Sequence, residues 1–387
     1  MNPVCLFNGT VLTGLAAMES CAVLVENGLI SDVFSQKRFE QRKFDNSIKL
    51  IDTAGAYIAP GFIDTHVHGI AGFGTEDESA DSILEMSRRL VKLGVTAFNP
   101  TLYPSRQMLH AVKETAAAMG REEGARIMGL HLEGPFISPE RLGVQRPETV
   151  QPVDLDLMEQ LWEASSGHIV NMTIAPELKH MRELALFCIK KGIILQAGHS
   201  NAEYDHMVEG MQVGILHSTH FFNAMRRLDH RNPNTVGAIL IHPEMSCEII
   251  ADGFHVHPDL YKLLLRNKSI DKIVLVTDGL KPTEQKEAPF YANNEEVYFK
   301  NGVFYRKSDD VIAGSGLTMI RGIKNLVTAG FSIEDAVKTA SFNPAQIMRY
   351  NNLGAIIPGR FADITVFDRN FNINLVMVGG KIMESGG

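Results

Sequence analysis

Short apolar runs alternate with amphipathic stretches through the middle of the chain. Eight runs of strand length follow residue 60, namely GFIDTHVH, GVTAFNPT, RIMGLHLEG, HIVNMTIAPE, GIILQAGHS, GILHSTHFF, CEIIADG and KIVLVTDG. Between most of them lie stretches such as DSILEMSRRLVKLG and LKHMRELALFCIKKG, whose apolar residues recur at helical spacing. A strand–helix unit repeated eight times requires parallel strands with helical crossovers. The pattern therefore predicts an α/β fold, a (β/α)8 barrel of the TIM type.

The two ends of the chain have a different pattern. Residues 1–60 and 351–387 contain β-rich segments broken by Asn-Gly and Gly. We predict that both ends join in one small β-sandwich domain beside a barrel domain of residues 61–350. A long insert, residues 280–314, follows the eighth strand, and PFYANNEEVYFKNGVFYRK within it is typical of a hairpin.

Composition and charge exclude several classes of protein. The net charge of −8 argues against binding to nucleic acid or acidic lipid, because no basic excess is available to neutralise phosphates. No apolar run approaches eighteen residues, so we expect no association with a membrane. The four cysteines are widely scattered and form no CxxC, which indicates buried thiols in a reducing, cytoplasmic environment.

Histidines and carboxylates mark the ends of the predicted strands. His66 and His68 are two residues apart, so on a strand both imidazoles face the same way. A single buried histidine is more often a hydrogen-bonded core residue than a ligand. Imidazoles at five strand ends, together with carboxylates, instead predict a metal site at the catalytic face of the barrel. The candidates are His66, His68, His131, Glu133, His199, His217, His220, Asp252, His255 and Asp278.

Imidazoles with a carboxylate suit Zn²⁺, Fe²⁺, Mn²⁺ or Co²⁺ better than Mg²⁺ or Ca²⁺. Two features of the predicted site, Asp278 and a basic loop, have alternative interpretations. Asp278 is either a further ligand or, as we favour, the carboxylate that accepts a proton from a metal-bound water and passes it to a leaving amine. The loop NAMRRLDHRNPN carries Arg226, Arg227, His230 and Arg231, which form either an anion clamp for a phosphate or a solvated basic loop.

The motifs together resemble the amidohydrolase superfamily. The resemblance depends on PGFIDTHVHG, HLEGPFIS, AGHSNA, THFFNAM, ADGFHVH, VTDG and AGSGLTMI, in this order, and it covers essentially the whole chain. Within the superfamily, the chain is most similar to the enzymes that deacetylate phosphorylated amino sugars. This implies hydrolysis of the acetamide of N-acetylglucosamine 6-phosphate to glucosamine 6-phosphate and acetate, in amino-sugar catabolism and cell-wall sugar recycling. It also implies a homodimer.

The resemblance further implies a role for individual residues. Glu133, His199 and His220 would hold the principal metal, and Asp278 would be the general base and acid. His66 and His68 leave room for a second metal bridged by Glu133, so one or two divalent metals are expected per subunit. Some relatives carry a histidine in place of Gln145, which leaves the group that activates the carbonyl open. The implied substrate-binding residues are Val144, Gln145, Asn223, Ala224, Arg231, His255, Val311, Ile312 and Ala313, with the neighbouring subunit's site as one option for Arg231.

Three other classes of protein are alternatives to a deacetylase. Cyclic-amide hydrolases of the same superfamily typically bridge two metals with a carboxylated lysine at the end of the fourth strand. Here residues 173–177 read TIAPE and contain no lysine, which disfavours that alternative. A deaminase is separable by assaying ammonia against acetate. A metal-free scaffold is disfavoured because the polar strand ends are intact.

Overall fold

The structure is a computed structural model and describes residues 2–383. Residues 2–60 form five strands and one short helix. β1 lies at the centre, antiparallel to β2 on one edge and parallel to β4 and β5 on the other. β1 contributes side chains to apolar clusters on both faces of this sheet, Leu6 on one face and Cys5 on the other. The elements are β1 (Val4–Leu12), β2 (Ala17–Glu26), β3 (Leu29–Ser35), α1 (Gln36–Gln41), β4 (Lys49–Asp52) and β5 (Tyr57–Pro60).

The next eleven strands build the barrel and its upper rim. They are β6 (Phe62–Val67), β7 (Gly69–Ile70), β8 (Phe73–Gly74), β9 (Val95–Leu102), β10 (Arg126–Ile127), β11 (Leu130–Glu133), β12 (Ile169–Ile174), β13 (Ile194–Ala197), β14 (His217–Ser218), β15 (Ser246–Ile250) and β16 (Ile273–Val276). The eight barrel strands pair in parallel in the order β6, β9, β11, β12, β13, β14, β15 and β16. A parallel bridge from Val67 to Gly279 joins the two ends of this sheet. The predicted (β/α)8 barrel is confirmed.

Helices cover the outside of the barrel because each presents one apolar face. In the first of them Ile83, Met86 and Leu90 are buried, at the spacing of one helical face, while Arg88 and Arg89 face solvent. The Asp154 side chain accepts a hydrogen bond from the backbone N–H of Leu157 and so caps its helix. These helices are α2 (Ala80–Leu90), α3 (Met108–Ala118), α4 (Leu155–Ala164), α5 (Met181–Lys191), α6 (Tyr204–Gln212), α7 (Asn234–Ile241) and α8 (Pro258–Asn267).

The insert after β16 forms a four-stranded antiparallel sheet over the barrel mouth. Its strands are β17 (Phe290–Ala292), β18 (Glu295–Lys300), β19 (Val303–Arg306) and β20 (Ile312–Ser315). The predicted hairpin is β18–β19, and its turn residues Asn301 and Gly302 both have positive φ, as a two-residue hairpin turn requires. Phe304 of this sheet packs in one apolar cluster with Leu280 and Tyr103. The insert therefore becomes one wall of the space above the barrel.

The end of the chain returns to the small sheet. After α9 (Met319–Thr328), α10 (Ile333–Ala340) and α11 (Phe342–Ile347) come β21 (Ile364–Phe367), β22 (Ile373–Val378) and β23 (Lys381–Met383). β21 pairs antiparallel with β5, so both chain ends share one eight-stranded sheet, as predicted. Arg126 holds this sheet to the barrel, since its Nε lies 3.0 Å from Asp363 Oδ2. The domain limits at residues 60 and 350 stay a prediction. None of the helices within residues 2–383 combines the length and apolar character needed to cross a membrane.

Candidate metal and substrate site

Three strand ends bring Glu133, His199 and His220 together at the carboxyl face of the barrel. Glu133 ends β11, His199 lies two residues after β13 and His220 two residues after β14. Glu133 Oε1 is 3.1 Å from Nε2 of each histidine, and the two Nε2 atoms are 3.0 Å apart. All three side chains are buried. One carboxylate oxygen and two imidazole nitrogens thus converge on one point.

A second group of donors lies beside the first. His66 and His68 project from the end of β6, and Asp278 follows β16. Asp278 Oδ1 is 3.5 Å from His66 Nε2 and 3.4 Å from His68 Nε2. Glu133 also approaches both histidines, at 3.5 Å from His66 Nε2 through Oε1 and at 3.4 Å from His68 Nε2 through Oε2. Glu133 therefore lies between the two groups, and each group has the spacing of a metal site.

The backbone turns sharply where these side chains leave their strands. His199, His220 and Asp278 have φ values of 46°, 24° and 49°, in the left-handed region that residues other than glycine seldom adopt. Such backbone strain persists where the surrounding structure imposes it, and it concentrates at functional sites. Here it directs the three side chains inward over the barrel.

Three of the four histidines, namely His66, His68 and His199, are held through Nδ1 with their Nε2 atoms toward the common centre. His66 Nδ1 is 3.0 Å from Glu248 Oε2, His68 Nδ1 is 3.0 Å from the Thr101 carbonyl oxygen, and His199 Nδ1 is 3.0 Å from the carbonyl oxygen of residue 141. Each of these partners accepts a hydrogen bond from Nδ1–H, which leaves the Nε2 lone pair free. This arrangement is the usual one for metal-binding histidines.

The charges around the site favour a cation. Burial raises the pKa of Glu133, but charge and hydrogen bonding from His199 and His220 outweigh it and hold the pKa well below its usual range. Burial lowers the pKa of His66, but Glu248 and Glu133 raise it well above the usual value, so these carboxylates favour positive charge at the ring, which a proton on Nε2 supplies without metal and a bound cation would replace. His66 Nε2 is also buried without a hydrogen-bond partner among the described residues. A divalent cation would satisfy this nitrogen and the close Nε2 pair of the first group, so the residues fit a metal.

A cavity of about 300 Å³ opens above these donors. Every predicted substrate-binding residue except Arg231 lines it; the lining residues are His68, Tyr103, Glu133, Gly143, Val144, Gln145, His199, His220, Asn223, Ala224, His255, Asp278, Val311, Ile312 and Ala313. Gln145 Nε2 donates to Glu133 Oε2 at 2.6 Å, while Gln145 Oε1 is buried without a partner among the described residues. His255 Nδ1 lies 2.6 Å from Asp252 Oδ2. Burial lowers the pKa of His255, but Asp252 outweighs this and raises it, which favours a cationic imidazole in the cavity.

The arginines of the loop NAMRRLDHRNPN do not line this cavity. Arg231 is exposed, and its backbone N–H donates to Asp229 Oδ1 at 2.8 Å. Arg226 pairs with Glu203, at 3.0 Å between Nη1 and Oε1. The cavity lining drawn from the described residues includes neither lysine nor arginine. Within this lining, a phosphate would meet the cationic His255 imidazole but neither lysine nor arginine.

Besides His255, two strand-end histidines remain outside the ligand groups. His131 is hydrogen-bonded on both ring nitrogens, to Thr101 Oγ1 at 3.1 Å and to Thr173 Oγ1 at 2.9 Å. Burial holds its pKa well below the usual range, so it is a neutral core residue. His217 Nδ1 lies 2.8 Å from Ser246 Oγ. Neither imidazole takes part in the convergence around Glu133.

Sequence reasoning missed two residues next to the site. Tyr103 stacks on His68 with ring centroids 3.8 Å apart and 4° between the planes. Glu248 accepts a hydrogen bond from His66, as described above. The run CEIIADG contained a sequence signal for Glu248, because a carboxylate inside an otherwise apolar strand needs a buried partner. For Tyr103 the only signal was its place directly after the second barrel strand.

A (β/α)8 barrel with histidine and carboxylate donors at its carboxyl face defines a class of metal-dependent hydrolases. The chain belongs to the amidohydrolase family, which matches residues 57–383. The resemblance read from the motifs is thereby confirmed.

Several relatives that match along most of their length are named deacetylases of amino-sugar phosphates. The chain is 31% identical to N-acetylglucosamine-6-phosphate deacetylase from Vibrio furnissii, over 96% of this chain and 93% of that protein. It is 28% identical to N-acetylgalactosamine-6-phosphate deacetylase from Escherichia coli O157:H7, over 84% of this chain and 87% of that protein. A solved structure of a mutant N-acetyl-D-glucosamine-6-phosphate deacetylase from Mycobacterium smegmatis, in complex with N-acetyl-D-glucosamine-6-phosphate, superposes with a TM-score of 0.91. It is 25% identical and covers 99% of both chains.

Proposed function

We propose that the protein hydrolyses the acetamide of N-acetylglucosamine 6-phosphate to glucosamine 6-phosphate and acetate. The observation that carries this proposal is the convergence of two donor groups on Glu133, the second of which includes Asp278, at the floor of an open cavity. Full-length relatives with this activity support the choice of substrate. We also propose a cytoplasmic location, supported by four cysteines that are all buried and unpaired.

The metal would be held by this chain's own residues. Glu133, His199 and His220 would bind the principal ion, and His66 and His68 a second ion that Glu133 bridges. A divalent cation of the Zn²⁺, Fe²⁺, Mn²⁺ or Co²⁺ type, when bound, lowers the pKa of a coordinated water and polarises a carbonyl.

Asp278 would move the proton of the reaction. Burial raises its pKa, but His68 and His66 outweigh this and lower it, so the carboxylate is ionised and able to accept a proton. It would take the proton of the attacking water and deliver it to the nitrogen as the amide bond breaks. The Gln145 amide, whose Nε2 donates to Glu133 Oε2, would use its second N–H to donate to the carbonyl oxygen that gains negative charge.

The remaining lining residues would hold the sugar. Val144 and the segment Val311–Ala313 offer apolar contact from two sides of the cavity. Asn223 and Ala224 would provide amide and backbone groups for hydroxyls or phosphate. His255, held by Asp252, would contact a hydroxyl or the anionic group.

Acetate release tests this function directly. Protein with its metals quantified is given N-acetylglucosamine 6-phosphate, N-acetylgalactosamine 6-phosphate and unphosphorylated N-acetylglucosamine. We expect acetate at the highest kcat/KM from the first substrate, and no ammonia. Ammonia without acetate would make the protein a deaminase, and preference for the galactosamine epimer would reassign the sugar. No acetate from any of them with metal bound would contradict the proposal.

Phosphate recognition and oligomeric state are proposed together. The cavity lining contains neither lysine nor arginine among the described residues, although a phosphate needs cationic partners. We propose a homodimer in which the exposed Arg231 of one subunit reaches the cavity of the other. Arg231→Ala should then lower kcat/KM for the phosphorylated sugar by roughly 10- to 100-fold, the value of a lost charged hydrogen bond, and leave unphosphorylated N-acetylglucosamine almost unchanged.

Two further measurements accompany this prediction. Arg266→Ala, an exposed arginine at the end of α8, is the matched control and should change neither substrate. Mixing Arg231→Ala subunits with Asp278→Asn subunits should restore activity, because one site of each mixed dimer then has both native residues. Equal losses on both sugars would argue against a phosphate contact, and the absence of restoration would place Arg231 within its own subunit's site.

A further inference from the structure

A continuous row of hydrogen bonds crosses the interior of the barrel beneath the site. Tyr350 Oη donates to Asn99 Oδ1 at 2.8 Å, and Asn99 Nδ2 donates to Asn171 Oδ1 at 3.1 Å. Asn171 Nδ2 donates to Gln196 Oε1 at 3.0 Å, and Gln196 Nε2 donates to Glu248 Oε1 at 2.7 Å. These five residues, which we call the amide chain, come from β9, β12, β13, β15 and the turn after α11.

The amide chain occupies space that barrels usually fill with apolar side chains. Asn99, Asn171, Gln196 and Glu248 are each 0% exposed. Buried polar groups are costly unless every donor and acceptor is paired, and a partly paired network is worse than an apolar core. A fully connected row at this depth therefore calls for a reason beyond packing.

Glu248 sets the donor-to-acceptor direction of every hydrogen bond in the amide chain. Besides the Gln196 amide, it receives the His66 Nδ1–H at 3.0 Å and the backbone N–H of His220 at 3.1 Å. An ionised carboxylate only accepts hydrogen bonds. Gln196 must therefore turn its Nε2 toward Glu248 and its Oε1 toward Asn171.

The same requirement applies to each further residue of the amide chain. Asn171 must give its Nδ2 to Gln196, Asn99 must give its Nδ2 to Asn171, and the Tyr350 hydroxyl must donate to Asn99. Flipping any one amide would set two donors or two acceptors against each other. The orientation of each side chain is thus determined by its neighbour, back to the turn after α11.

We propose that the amide chain positions the metal site by holding Glu248 where it keeps His66 protonated on Nδ1, so that Nε2 offers its lone pair to the cation. Glu248 and Gln196 are then positioning residues for metal binding. Glu248 acts on both donor groups, because it contacts the ring of His66 and the backbone of His220. The inference rests on the metal of the proposed function and is independent of the identity of the sugar.

The test is the affinity of metal-free protein for Zn²⁺, measured by competition with a chromophoric chelator. Glu248→Gln turns an NH₂ either toward His66 Nδ1–H or toward the NH₂ of Gln196, and the second mismatch is relieved only if all three amides flip together and the Tyr350 hydroxyl accepts instead of donating. We expect Zn²⁺ affinity to fall roughly 10- to 100-fold, as for other lost partners of ligand histidines. Glu122→Gln is the control, because Glu122 accepts a backbone hydrogen bond from Ile127, away from the site.

The decisive variant exchanges Gln196 and Glu248. In Gln196→Glu/Glu248→Gln the carboxylate moves one place along the row, so the amide at position 248 donates to it and turns its oxygen toward His66. We expect this double variant to regain at least tenfold of the Zn²⁺ affinity that the single variant loses. An unchanged affinity in Glu248→Gln, or an exchange no better than the single variant, would overturn the proposal.

Two outcomes keep the test independent of folding and of the substrate. If Glu248→Gln does not fold, Gln196→Met, of similar volume, removes the donor to Glu248 together with the acceptor of Asn171 Nδ2 and leaves Glu248 itself in place. Lower Zn²⁺ affinity in that folded variant supports the amide chain, and unchanged affinity overturns it. Because Zn²⁺ is titrated without sugar, a protein that releases no acetate but responds to Glu248→Gln would refute the proposed substrate while supporting the amide chain.

Discussion

Replacing Asp278 with asparagine should lower kcat roughly 10²- to 10⁴-fold while metal content stays unchanged. This is the range that a positioned general acid–base group contributes. The amide keeps the size of the side chain, but it has no basic oxygen with which to take the proton of the attacking water. Asp278 Oδ1 lies 3.4 Å from His68 Nε2 and 3.5 Å from His66 Nε2, and the ionised state of this carboxylate follows from those neighbours.

The same variant separates the two interpretations of Asp278. Acetate release and metal analysis are made on the same samples, with Asp271→Asn as control, because Asp271 is an exposed aspartate just before the same strand. Unchanged metal with a large loss of kcat identifies the proton carrier. Loss of metal together with activity would make Asp278 a ligand. A near-normal kcat would refute both roles.

Glu133→Gln should cost the protein its metal and its activity together. Glu133 contacts His199 and His220 through Oε1 and His68 through Oε2, so it is shared by both donor groups. A neutral amide is a poor ligand for a divalent cation. We expect Zn²⁺ affinity to fall by more than the roughly 100-fold that the loss of an outer hydrogen-bond partner costs.

This prediction is checked by metal analysis after dialysis and by acetate release. Glu159→Gln is the control, because Glu159 only pairs with Lys191 on the outside of the barrel. Full metal content with normal turnover in Glu133→Gln would remove Glu133 from the site and end the bridging proposal. Retention of half the metal would restrict its role to one of the two groups.

The fold was largely predictable because its signals are local. Periodic apolar runs identified the eight barrel strands, and the stretch PFYANNEEVYFKNGVFYRK indicated the hairpin of the insert, which turns at Asn301 and Gly302. The lengths of the strands were less predictable. The run GILHSTHFF yields only the two-residue strand His217–Ser218, because the chain turns at His220 to carry its side chain to Glu133. The hairpin gains β17 and β20 as outer strands, since pairing depends on which edges meet.

The sequence by itself determined the periodicity of the barrel, the donor types at its strand ends and the motifs of its family. Only the tertiary structure decided which donors meet. It separated His199 and His220, which converge on Glu133, from His131 and His217, which are bonded within the core. It also brought Glu248 to His66 and left Arg231 outside the cavity. Alternation along a strand determines the face on which a side chain lies. Distances across the barrel depend on how strands far apart in the chain are staggered, and no local pattern contains that register.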